Sequence, residues 1–445
     1  MANLKGFSKM KPFFATLALV LFAAAALAQA PGERIRIDPA ALPPPGATPS
    51  ASNPPDYAPA PEGVPLEAPE GFAVRRFADG LDHARWLAVA PNGDVFLAQS
   101  RAGTITVLRD ADGDGAAEIR STFASGLAEP HGMAFHGGHL YVADTEAVWR
   151  FAWTPGQLAA TEPKERVTPE GALDTERGHS SRTLAIHPDG SRFYVGIGSS
   201  GNLLEDAEPR AAVREFRIDG AGGRSFATGL RNPVGLAFRP GTEELWTVVN
   251  ERDGMGEELV PDYLVRLQES GFYGWPYAYL GLHPQPGFAE RRPDLVARSL
   301  PPDLLFRAHS APLGLVFYDG AAFPPEYRGD AFVALHGSWN AAEPRGYVVA
   351  RVPFEEGRPA GHYEVFVSGF LVEIAERSLM AQAWQVLATG FSERALRNLK
   401  RGLTLGARSP ALVRGRPAGL AVAGDGSLLI ADDVAQIVWR VNYPR

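Results

Sequence analysis

Cysteine is absent from all 445 residues of the chain. Without thiols the protein can hold no disulfide, no thiolate metal site, no cysteine nucleophile and no covalently attached c-type haem. Redox chemistry in this chain would therefore need a separately bound cofactor.

The sequence also lacks an excess of positive charge. It carries 43 Lys+Arg against 51 Asp+Glu, for a formal net charge of −8. Proteins that bind a phosphate backbone normally present a basic face, so this balance argues against a nucleic-acid partner. A phosphate-binding glycine loop and the G-x-S-x-G nucleophile elbow are missing as well.

No apolar run is long enough to favour a membrane span. The longest, residues 13–27, falls short of the roughly 20 residues that a span needs, and no stop-transfer pattern follows it. Three lysines precede the run and Ala26-Leu27-Ala28 ends it, which predicts a signal peptide over residues 1–28. We expect an exported, periplasmic protein with no stable span after cleavage; an uncleaved anchor is the alternative.

Proline and alanine dominate the next segment. Residues 29–69 include the stretch PPPGATPSASNPPDYAPAPEGVP and show no hydrophobic period. Such composition is typical of a disordered linker. The sequence therefore predicts one folded domain over residues 70–445.

Six segments of that domain repeat one pattern. Each opens on a hydrophobic strand, continues through a glycine-containing turn into a second strand, and soon adds a third. They begin at Trp86, Pro130, Arg182, Pro233, Pro312 and Pro417. Repeats of a four-stranded unit at roughly 40–50 residues are typical of a β-propeller. The fold class predicted is all-β, a six-bladed β-propeller.

The later strands of each unit are equally regular. Third strands alternate in polarity and are predicted at 103–109, 147–153, 212–218, 263–268, 346–354 and 436–443. Fourth strands end in a phrase such as FASGL (123–127) or FATGL (226–230). The same phrase at 77–81 has no unit upstream, so we expect it to pair with the C-terminal blade and close the ring.

The connectors that enter the inner strands are rich in histidine and arginine. A propeller brings them to one rim, where they predict a polar site for an anionic ligand, since an arginine fork donates two parallel hydrogen bonds to a carboxylate. The alternative is that long basic side chains simply cover a solvated rim. The connector side chains are Asp82, His83, Arg85, Glu129, His131, His179, Arg182, Arg231, Asn232, Arg307, His309, Arg414 and Arg416.

Several phrases resemble the soluble quinoprotein sugar dehydrogenases, the six-bladed propellers that include glucose, aldose-sugar and sorbosone dehydrogenases. They are GLRNPVGLAF (229–238), VVNERDGMGEEL (248–259), GFYGWPYAYLG (271–281), AHSAPLGLVFY (308–318), ALHGSWN (334–340) and GRPAGLAV (415–422). The resemblance runs from about Gly71 to the C-terminus and is closest to the sorbosone-type branch. It implies pyrroloquinoline quinone (PQQ), a flat tricarboxylate, with Ca²⁺ beside it.

The resemblance also implies roles for individual residues. His179 matches the family's general base, which takes the hydroxyl proton as hydride moves to the quinone. Arg231 matches a residue that contacts both cofactor and substrate, and Asp94 falls where glucose-oxidising members place a substrate-binding Gln. Backbone carbonyls of Arg252 and Asp253 fall at the Ca²⁺ positions. Further cofactor contacts are implied for Asn232, His309, Arg345, Arg414 and Arg416, the last two reaching one ligand because they are one residue apart.

The chain departs from the glucose branch at several positions. Ser199 replaces the acid that orients the base, and His309 replaces a small polar residue. Pro344-Arg345 stands where a cofactor-binding Lys is expected, which makes Arg345 a candidate for that role. Residues 371–412 form an insertion before the last blade, in which ERALRNLKRGL has helical spacing. The insertion is either a lid, an acceptor-docking element or a plain insertion.

A second acidic motif has the sequence Asp110-Ala-Asp112-Gly-Asp114-Gly. It resembles the first half of an EF-hand loop, but Ser121 stands at the twelfth position, where a bidentate Glu belongs. The motif is interpreted as an acidic turn between strands, with a weak Ca²⁺ site as the alternative.

Three functions remain open from the sequence. The first is a PQQ- and Ca²⁺-dependent dehydrogenase for a sugar or aldehyde-sugar that passes electrons to a separate acceptor, a quinone or a cytochrome. The second is a propeller that only binds its ligand. The third is a metal-dependent sugar lactonase, which would need acidic and Asn side chains converging on a central cation.

Overall fold

The computed structural model describes residues 29–57, 65–175, 178–373 and 412–444. Within these ranges 33 strands accompany only four short helical segments. Those segments are the 3₁₀ turns Pro39–Ala41, Ala289–Arg291 and Pro325–Tyr327 and the helix α1 (Pro293–Ala297). The all-β prediction is confirmed.

Three strands precede the first repeat, and each pairs with a strand far along the chain. They are β1 (Arg34–Ile35), β2 (Asp56–Tyr57) and β3 (Ala73–Ala78).

Six larger sheets, termed sheets I to VI, follow in chain order. Sheet I contains β4 (Ala84–Val89), β5 (Val95–Gln99), β6 (Thr104–Arg109) and β7 (Ile119–Ala124). Sheet II contains β8 (Met133–His136), β9 (His139–Ala143), β10 (Val148–Ala152) and β11 (Glu165–Arg166). Sheet III contains β12 (Arg182–Ile186), β13 (Arg192–Ile197), β14 (Ala212–Arg217) and β15 (Arg224–Thr228).

Sheet IV begins with β16 (Pro233–Phe238), β17 (Leu245–Val249) and β18 (Tyr263–Arg266). Its last strand follows β19 (Gly271–Phe272), which joins sheet III, and the hairpin of β20 (Ala278–Tyr279) and β21 (His283–Pro284). That last strand is β22 (Leu304–Leu305).

Sheet V contains β23 (Pro312–Phe317), β24 (Ala331–Leu335) and β25 (Val348–Val352), then the side hairpin β26 (Phe354–Glu355) and β27 (Arg358–Pro359), and its fourth strand β28 (Tyr363–Val367). A small sheet of β29 (Leu371–Glu373) and β30 (Leu412–Val413) with β2 comes next. Sheet VI contains β31 (Pro417–Val422), β32 (Leu428–Asp432) and β33 (Ile437–Asn442), with β3 at its edge.

The hydrophobic core lies between successive sheets and returns to its starting point. Each of six clusters joins side chains from two neighbouring sheets, such as Phe96 with Leu140 between sheets I and II. The others lie between II and III, III and IV, IV and V, V and VI, and VI and I. Because alternate residues of each strand point to opposite faces, every sheet contributes to two clusters. The six sheets therefore form a closed ring.

The ring is closed by strand β3, as the sequence predicts. β3 runs antiparallel to β33, with Ala73 opposite Asn442 and Ala78 opposite Val438. The predicted third strands of all six repeats are likewise present, each in the centre of its sheet. The first strands β4, β8, β12, β16, β23 and β31 each contact the next, and β31 contacts β4. The connectors that enter these strands consequently share one end of the ring.

The prediction of a disordered linker over residues 29–69 is wrong for its described parts. β1 pairs with β28 at the edge of sheet V, and Ile35 is buried in the cluster between sheets IV and V. Farther along, Gly46 N donates to the carbonyl of Met255 and Thr48 Oγ1 accepts from Glu257 N. Composition did not predict this order because the contacts join backbone groups of the segment to loops distant in sequence. Such contacts need no periodic pattern of hydrophobic residues. We term residues 29–57 the N-terminal strap.

The insertion before sheet VI is described only at its ends, where β29 and β30 pair with each other and β2 pairs with β30. Residues 374–411, including the predicted helical stretch, lie outside the described residues, as do residues 1–28. Within the described ranges, no helix has both the length and the apolar character that crossing a bilayer requires.

Candidate functional site

A polar cavity of about 450 Å³ opens at the end of the ring where the first strands begin. Its wall comes from the predicted connectors and from the loops after the second strands of sheets IV and V. The side chains that matter below are Arg85, His179, Arg231, Asn232, Glu251, Asp253, Asp262, His309, His336, Trp339, Asn340 and Arg416. Six residues predicted as site residues are thus brought together: His179, Arg231, Asn232, Asp253, His309 and Arg416.

His179 is held through one ring nitrogen, while the other has no partner among the described residues. Its Nδ1 lies 2.8 Å from the carbonyl oxygen of Ser199 and 3.3 Å from Ser199 Oγ, which itself donates to the carbonyl of Gly201. A carbonyl oxygen only accepts, so Nδ1 carries the proton and Nε2 the lone pair. The backbone of Ser199 therefore supplies the acceptor that the sequence seemed to lack.

The surroundings of His179 keep it neutral. Burial, followed by the positive charge of Arg231, lowers the pKa of His179 to about 4. At neutral pH the ring is therefore uncharged and Nε2 can accept a proton.

Arg182 fixes the His179 segment from inside the ring. It is buried, and its NH1 donates to the carbonyl of His179 at 2.8 Å while NH2 donates to the carbonyl of Asp174 at 2.8 Å. Burial lowers the pKa of Arg182 to about 10. The sequence places Arg182 among the rim side chains, but the structure makes it a support behind the rim.

Arg231 and Asn232 lie directly before β16. The guanidinium of Arg231 donates to both the carbonyl and Oδ1 of Asn202, at 3.1 and 3.2 Å, so its orientation is fixed. Asn232 Oδ1 is buried without a partner among the described residues. Gly198 makes this arrangement possible, because a Cβ there would lie 2.3 Å from Asn232 Oδ1 and 2.6 Å from the Cβ of His179.

One wall of the cavity is acidic. Asp253 Oδ1 accepts from Asn340 Nδ2 and lies 3.5 Å from His309 Nδ1, while His309 Nε2 donates to the carbonyl of Gly256 at 3.0 Å. Glu251 is buried, and its Oε1 has no partner among the described residues. Asp262 accepts from two backbone amides, and burial raises its pKa to about 7.

The part of the wall where sheets V and VI meet carries Arg416, His336 and an aromatic ring. Arg416 Nε donates to the carbonyl of His336 at 2.8 Å, and its NH2 donates to the carbonyl of Gly337. His336 Nε2 lies 3.0 Å from Asp433 Oδ1. Trp339 is 51% exposed at the mouth. His336, Trp339 and Asn340 were not assigned roles from the sequence, although ALHGSWN was the motif that contained them.

Arg414 does not share the cavity with Arg416, which corrects the prediction that both reach one ligand. Arg414 NH2 donates to the carbonyl of Pro65 at 2.7 Å, and Nε donates to that of Gly369. The alternation of an extended strand fails because the chain bends at Arg414. Gly415 then passes so close to Asp432 that a Cβ would lie 2.0 Å from its Oδ2.

Arg345 and Arg252 lie behind the wall rather than in it. Arg345 donates to the carbonyl of Glu257 at 2.7 Å and pairs with Glu258 at 2.6 Å, so it joins two loops instead of facing the cavity. The side chain of Arg252 is fully buried against Glu251 and Gln285. The Asp253 carbonyl, predicted for the metal, accepts from Asn202 Nδ2 at 2.9 Å.

Asp94 lies away from the cavity, contrary to the predicted substrate contact. It sits in the turn between β4 and β5, at the other end of β4 from Arg85, and pairs with Arg109 through both carboxylate oxygens at 2.6 and 2.8 Å. A hairpin turn and the connector of the same sheet face opposite ends of the ring, so Asp94 cannot join His179.

The acidic motif after β6 is a surface turn. Oxygens of Asp110, Asp112, Asp114 and Glu118 lie within 4.8 Å of one another. These carboxylates accept from the amides of their own loop, including Gly113 and Gly115. This agrees with the interpretation as an acidic turn.

The fold is similar to that of solved sugar dehydrogenases that bind PQQ. The PQQ domain of pyranose dehydrogenase from Coprinopsis cinerea superposes with a TM-score of 0.68 at 19% identity, covering 87% of this chain and 99% of that one. PQQ-bound aldose sugar dehydrogenase from Streptomyces coelicolor gives 0.54 at 17% identity, covering 84% and 99%. At these identities the likeness shows the shared fold.

The family follows from the sequence itself. The TrAA12-like family model matches residues 66–262 and 294–368, which is more than half of the chain, and the protein belongs to this family. A PQQ-dependent pyranose dehydrogenase of C. cinerea is 24% identical over 431 residues, which cover 85% of this chain and 54% of that protein. An uncharacterized protein of Borreliella burgdorferi is 24% identical over 400 residues, covering 85% and 91%.

Proposed function

We propose that the chain is a PQQ- and Ca²⁺-dependent dehydrogenase that oxidises a sugar or aldehyde-sugar. The observation that carries the proposal is the geometry of His179. Its Nδ1 is fixed by a backbone carbonyl, and its ring is neutral at pH 7. Its Nε2 has no partner among the described residues, at a cavity that three arginines line. A neutral imidazole with a free nitrogen is the group that removes a hydroxyl proton.

The cavity residues fit a planar tricarboxylate. Arg416 and Arg231 stand on different walls, and their guanidinium groups are oriented by backbone carbonyls before any ligand arrives. The unpartnered Asn232 Oδ1 and the close approach allowed by Gly198 describe a narrow slot beside His179. We assign Arg231, Asn232 and Arg416 to PQQ, with His309 supporting the wall. Arg345 and Arg414 would act indirectly.

The acidic wall fits a hard cation, which prefers oxygen ligands. Glu251 Oε1 is buried and has no partner among the described residues, and Asp253 lines the same cavity. We propose Glu251 Oε1, the carboxylate and carbonyl of Asp253 and the Arg252 carbonyl as the Ca²⁺ ligands.

In the proposed reaction His179 Nε2 accepts the proton of the substrate hydroxyl. The C–H bond breaks as a hydride, and the former hydroxyl carbon becomes a carbonyl. When bound, PQQ supplies the acceptor for these two electrons and Ca²⁺ supplies positive charge beside it. Because His179 Nδ1–H donates to the Ser199 carbonyl, only Nε2 of the ring can accept the proton of the substrate hydroxyl. Arg182 keeps the His179 backbone fixed throughout.

The proposal also covers the number of blades, the location of the protein, its substrate specificity and its electron acceptor. The closed ring of six sheets supports a six-bladed propeller over residues 70–445. We further propose a signal peptide over residues 1–28, a periplasmic location, sorbosone-type specificity and a separate electron acceptor. These rest on the sequence pattern and the resemblance.

The two other functions are less well supported. A lactonase needs acidic and Asn side chains converging on a central cation, whereas three arginines and three histidines also line this cavity. A module that only binds its ligand does not require a neutral histidine whose Nδ1 is fixed and whose Nε2 faces the cavity.

The test is reconstitution of the purified protein with PQQ and Ca²⁺, followed by dye reduction across a panel of aldoses and keto-aldehydes. Turnover that requires both cofactors is expected. Absence of PQQ binding overturns the proposal, and PQQ binding without turnover of any sugar favours the binding module.

A further inference from the structure

A second compartment of about 220 Å³ opens off the main cavity at sheets I and II. The two share the side chains of Arg85, Ser180, Ser181 and His336. Ser180 and Ser181 directly follow His179 in the chain, so the shared wall begins beside the proposed base. At about 30 Å³ per water molecule the compartment has room for about seven waters, or one ring-sized group.

The compartment contains two imidazoles with unused nitrogens. His131 is 3% exposed, and its Nδ1 lies 3.3 Å from Thr183 Oγ1, but its Nε2 has no partner among the described residues. His83 Nδ1 is also buried without a partner there. Leaving a buried polar atom without a hydrogen bond costs free energy, so these nitrogens indicate a site for a polar ligand.

Three basic side chains of the compartment already share one carboxylate, that of Asp433. Asp433 accepts from Arg85 NH1 at 2.5 Å, lies 3.0 Å from His336 Nε2 and 3.7 Å from His83 Nε2. Burial keeps the pKa of His131 well below 6.5, so its ring is neutral. Among the described residues of the compartment, an anion would find no cation without a carboxylate partner. Hydroxyl groups, which both donate and accept, match neutral imidazoles and carboxylates.

The connectors that carry these side chains share an unusual backbone conformation. His83 and Glu129 occupy equivalent positions, each two residues before Arg85 and His131, and both adopt positive φ, 51° and 53°. Non-glycine residues rarely adopt this conformation, and they cluster at binding sites. Sheets I and II therefore present corresponding residues to the same space. The ring of His131 packs on Trp86 at 4.4 Å, which holds its plane.

We propose that this compartment binds the second ring of a neutral glycoside whose first ring reacts at His179. The substrate class is then a disaccharide or longer sugar, read through hydroxyl contacts to His83, His131 and Glu129. This inference rests on the proposed function for the position of the reacting ring.

The test compares sugars that share a reacting ring: glucose with maltose and cellobiose. Variants His83→Ala and Glu129→Gln are matched with His139→Ala and Glu146→Gln, whose side chains lie outside both compartments. In the reconstituted enzyme we expect the first pair to lower kcat/KM for a disaccharide about 5- to 10-fold, because each variant loses one or two neutral hydrogen bonds. The kcat/KM for glucose should fall less than about twofold. Thermal melting checks that each variant is folded.

A binding experiment separates the failure of this inference from failure of the proposed function. Calorimetric titration of the PQQ- and Ca²⁺-loaded protein with each sugar needs no turnover. Tighter binding of a disaccharide than of glucose, weakened by His83→Ala, supports the compartment even if no sugar is oxidised. Equal losses for glucose and disaccharides, equal affinities for them, or a change only in PQQ affinity would overturn it.

Discussion

Asn53 of the N-terminal strap is hydrogen-bonded to the loop that carries Trp339. Its backbone N–H donates to the carbonyl of Trp339 at 2.7 Å, and its buried side chain donates to the carbonyl of Ala342 at 3.2 Å. Thr48 in the same segment accepts from Glu257 on the neighbouring loop. A segment that sequence composition describes as a free linker thus supports two loops of the candidate site.

Replacing Asn53 with Ala should loosen this support. The change removes one partly buried hydrogen bond to the Ala342 carbonyl, so we expect about three- to tenfold weaker PQQ binding. Hydrogen–deuterium exchange over residues 336–342 should rise in parallel. Asn92→Ala, in the turn between β4 and β5, is the matched control. Unchanged exchange would contradict a supporting role for the strap.

Replacing His179 with Gln should remove the base but keep the cavity. We expect kcat/KM to fall about 10²- to 10⁴-fold, the usual contribution of a general base, with little change in PQQ affinity. Ser199→Ala should cost less than about threefold, because the backbone carbonyl remains the acceptor for Nδ1. A loss in Ser199→Ala as large as that in His179→Gln would show that the hydroxyl, and not the carbonyl, orients the ring.

The two arginines around Gly415 should separate in a binding experiment. Arg416→Ala removes a charged donor from the cavity, and we expect PQQ to bind about 10- to 100-fold more weakly. Arg414→Ala should alter PQQ affinity by less than about threefold and instead lower the melting temperature, since its bonds join Pro65 and Gly369. Titration of both variants with PQQ at saturating Ca²⁺ decides this. Similar losses of affinity would restore the prediction that both reach one ligand.

His336 should make the cofactor-free protein less stable in acid. Burial, with nearby Arg416, lowers its pKa to about 4, against about 6.5 in the unfolded chain. Between these values the unfolded state binds more protons, so the free energy of unfolding falls as pH drops from 6.5 towards 4.

The contribution of His336 is measured as the difference in pH-dependent stability between the wild type and His336→Gln. Asp262 and Asp432, whose pKa values burial raises to about 7, act in the opposite direction and remain in both. We expect His336→Gln to lose roughly 2 kcal/mol less stability than the wild type between pH 7 and pH 4.5 in urea denaturation. Parallel curves would mean that His336 does not titrate in this range.

Sequence reasoning located the features that repeat. The period of the strands placed His179, Arg231 and Arg416 before inner strands, and a propeller requires such residues to meet at one rim. The substrate role expected for Asp94 was taken from a family position, but Asp94 lies in the turn between β4 and β5, at the other end of the ring. Arg414 was misplaced because strand alternation was assumed through a bend. Arg345 and the strap depend on contacts between loops distant in sequence, for which no local pattern exists.

The pairing of β3 with β33 has a consequence for the integrity of the molecule. Ala78 and Val438 are joined across 360 residues, and no disulfide secures them. Closing so long a loop is slow, so sheet VI can be completed only after nearly the whole chain is made. Loss of the last nine residues, from Ile437 onward, would leave β32 and β3 with exposed edges. Such edges pair readily with other chains, so we expect C-terminal proteolysis to cause aggregation rather than a smaller soluble ring.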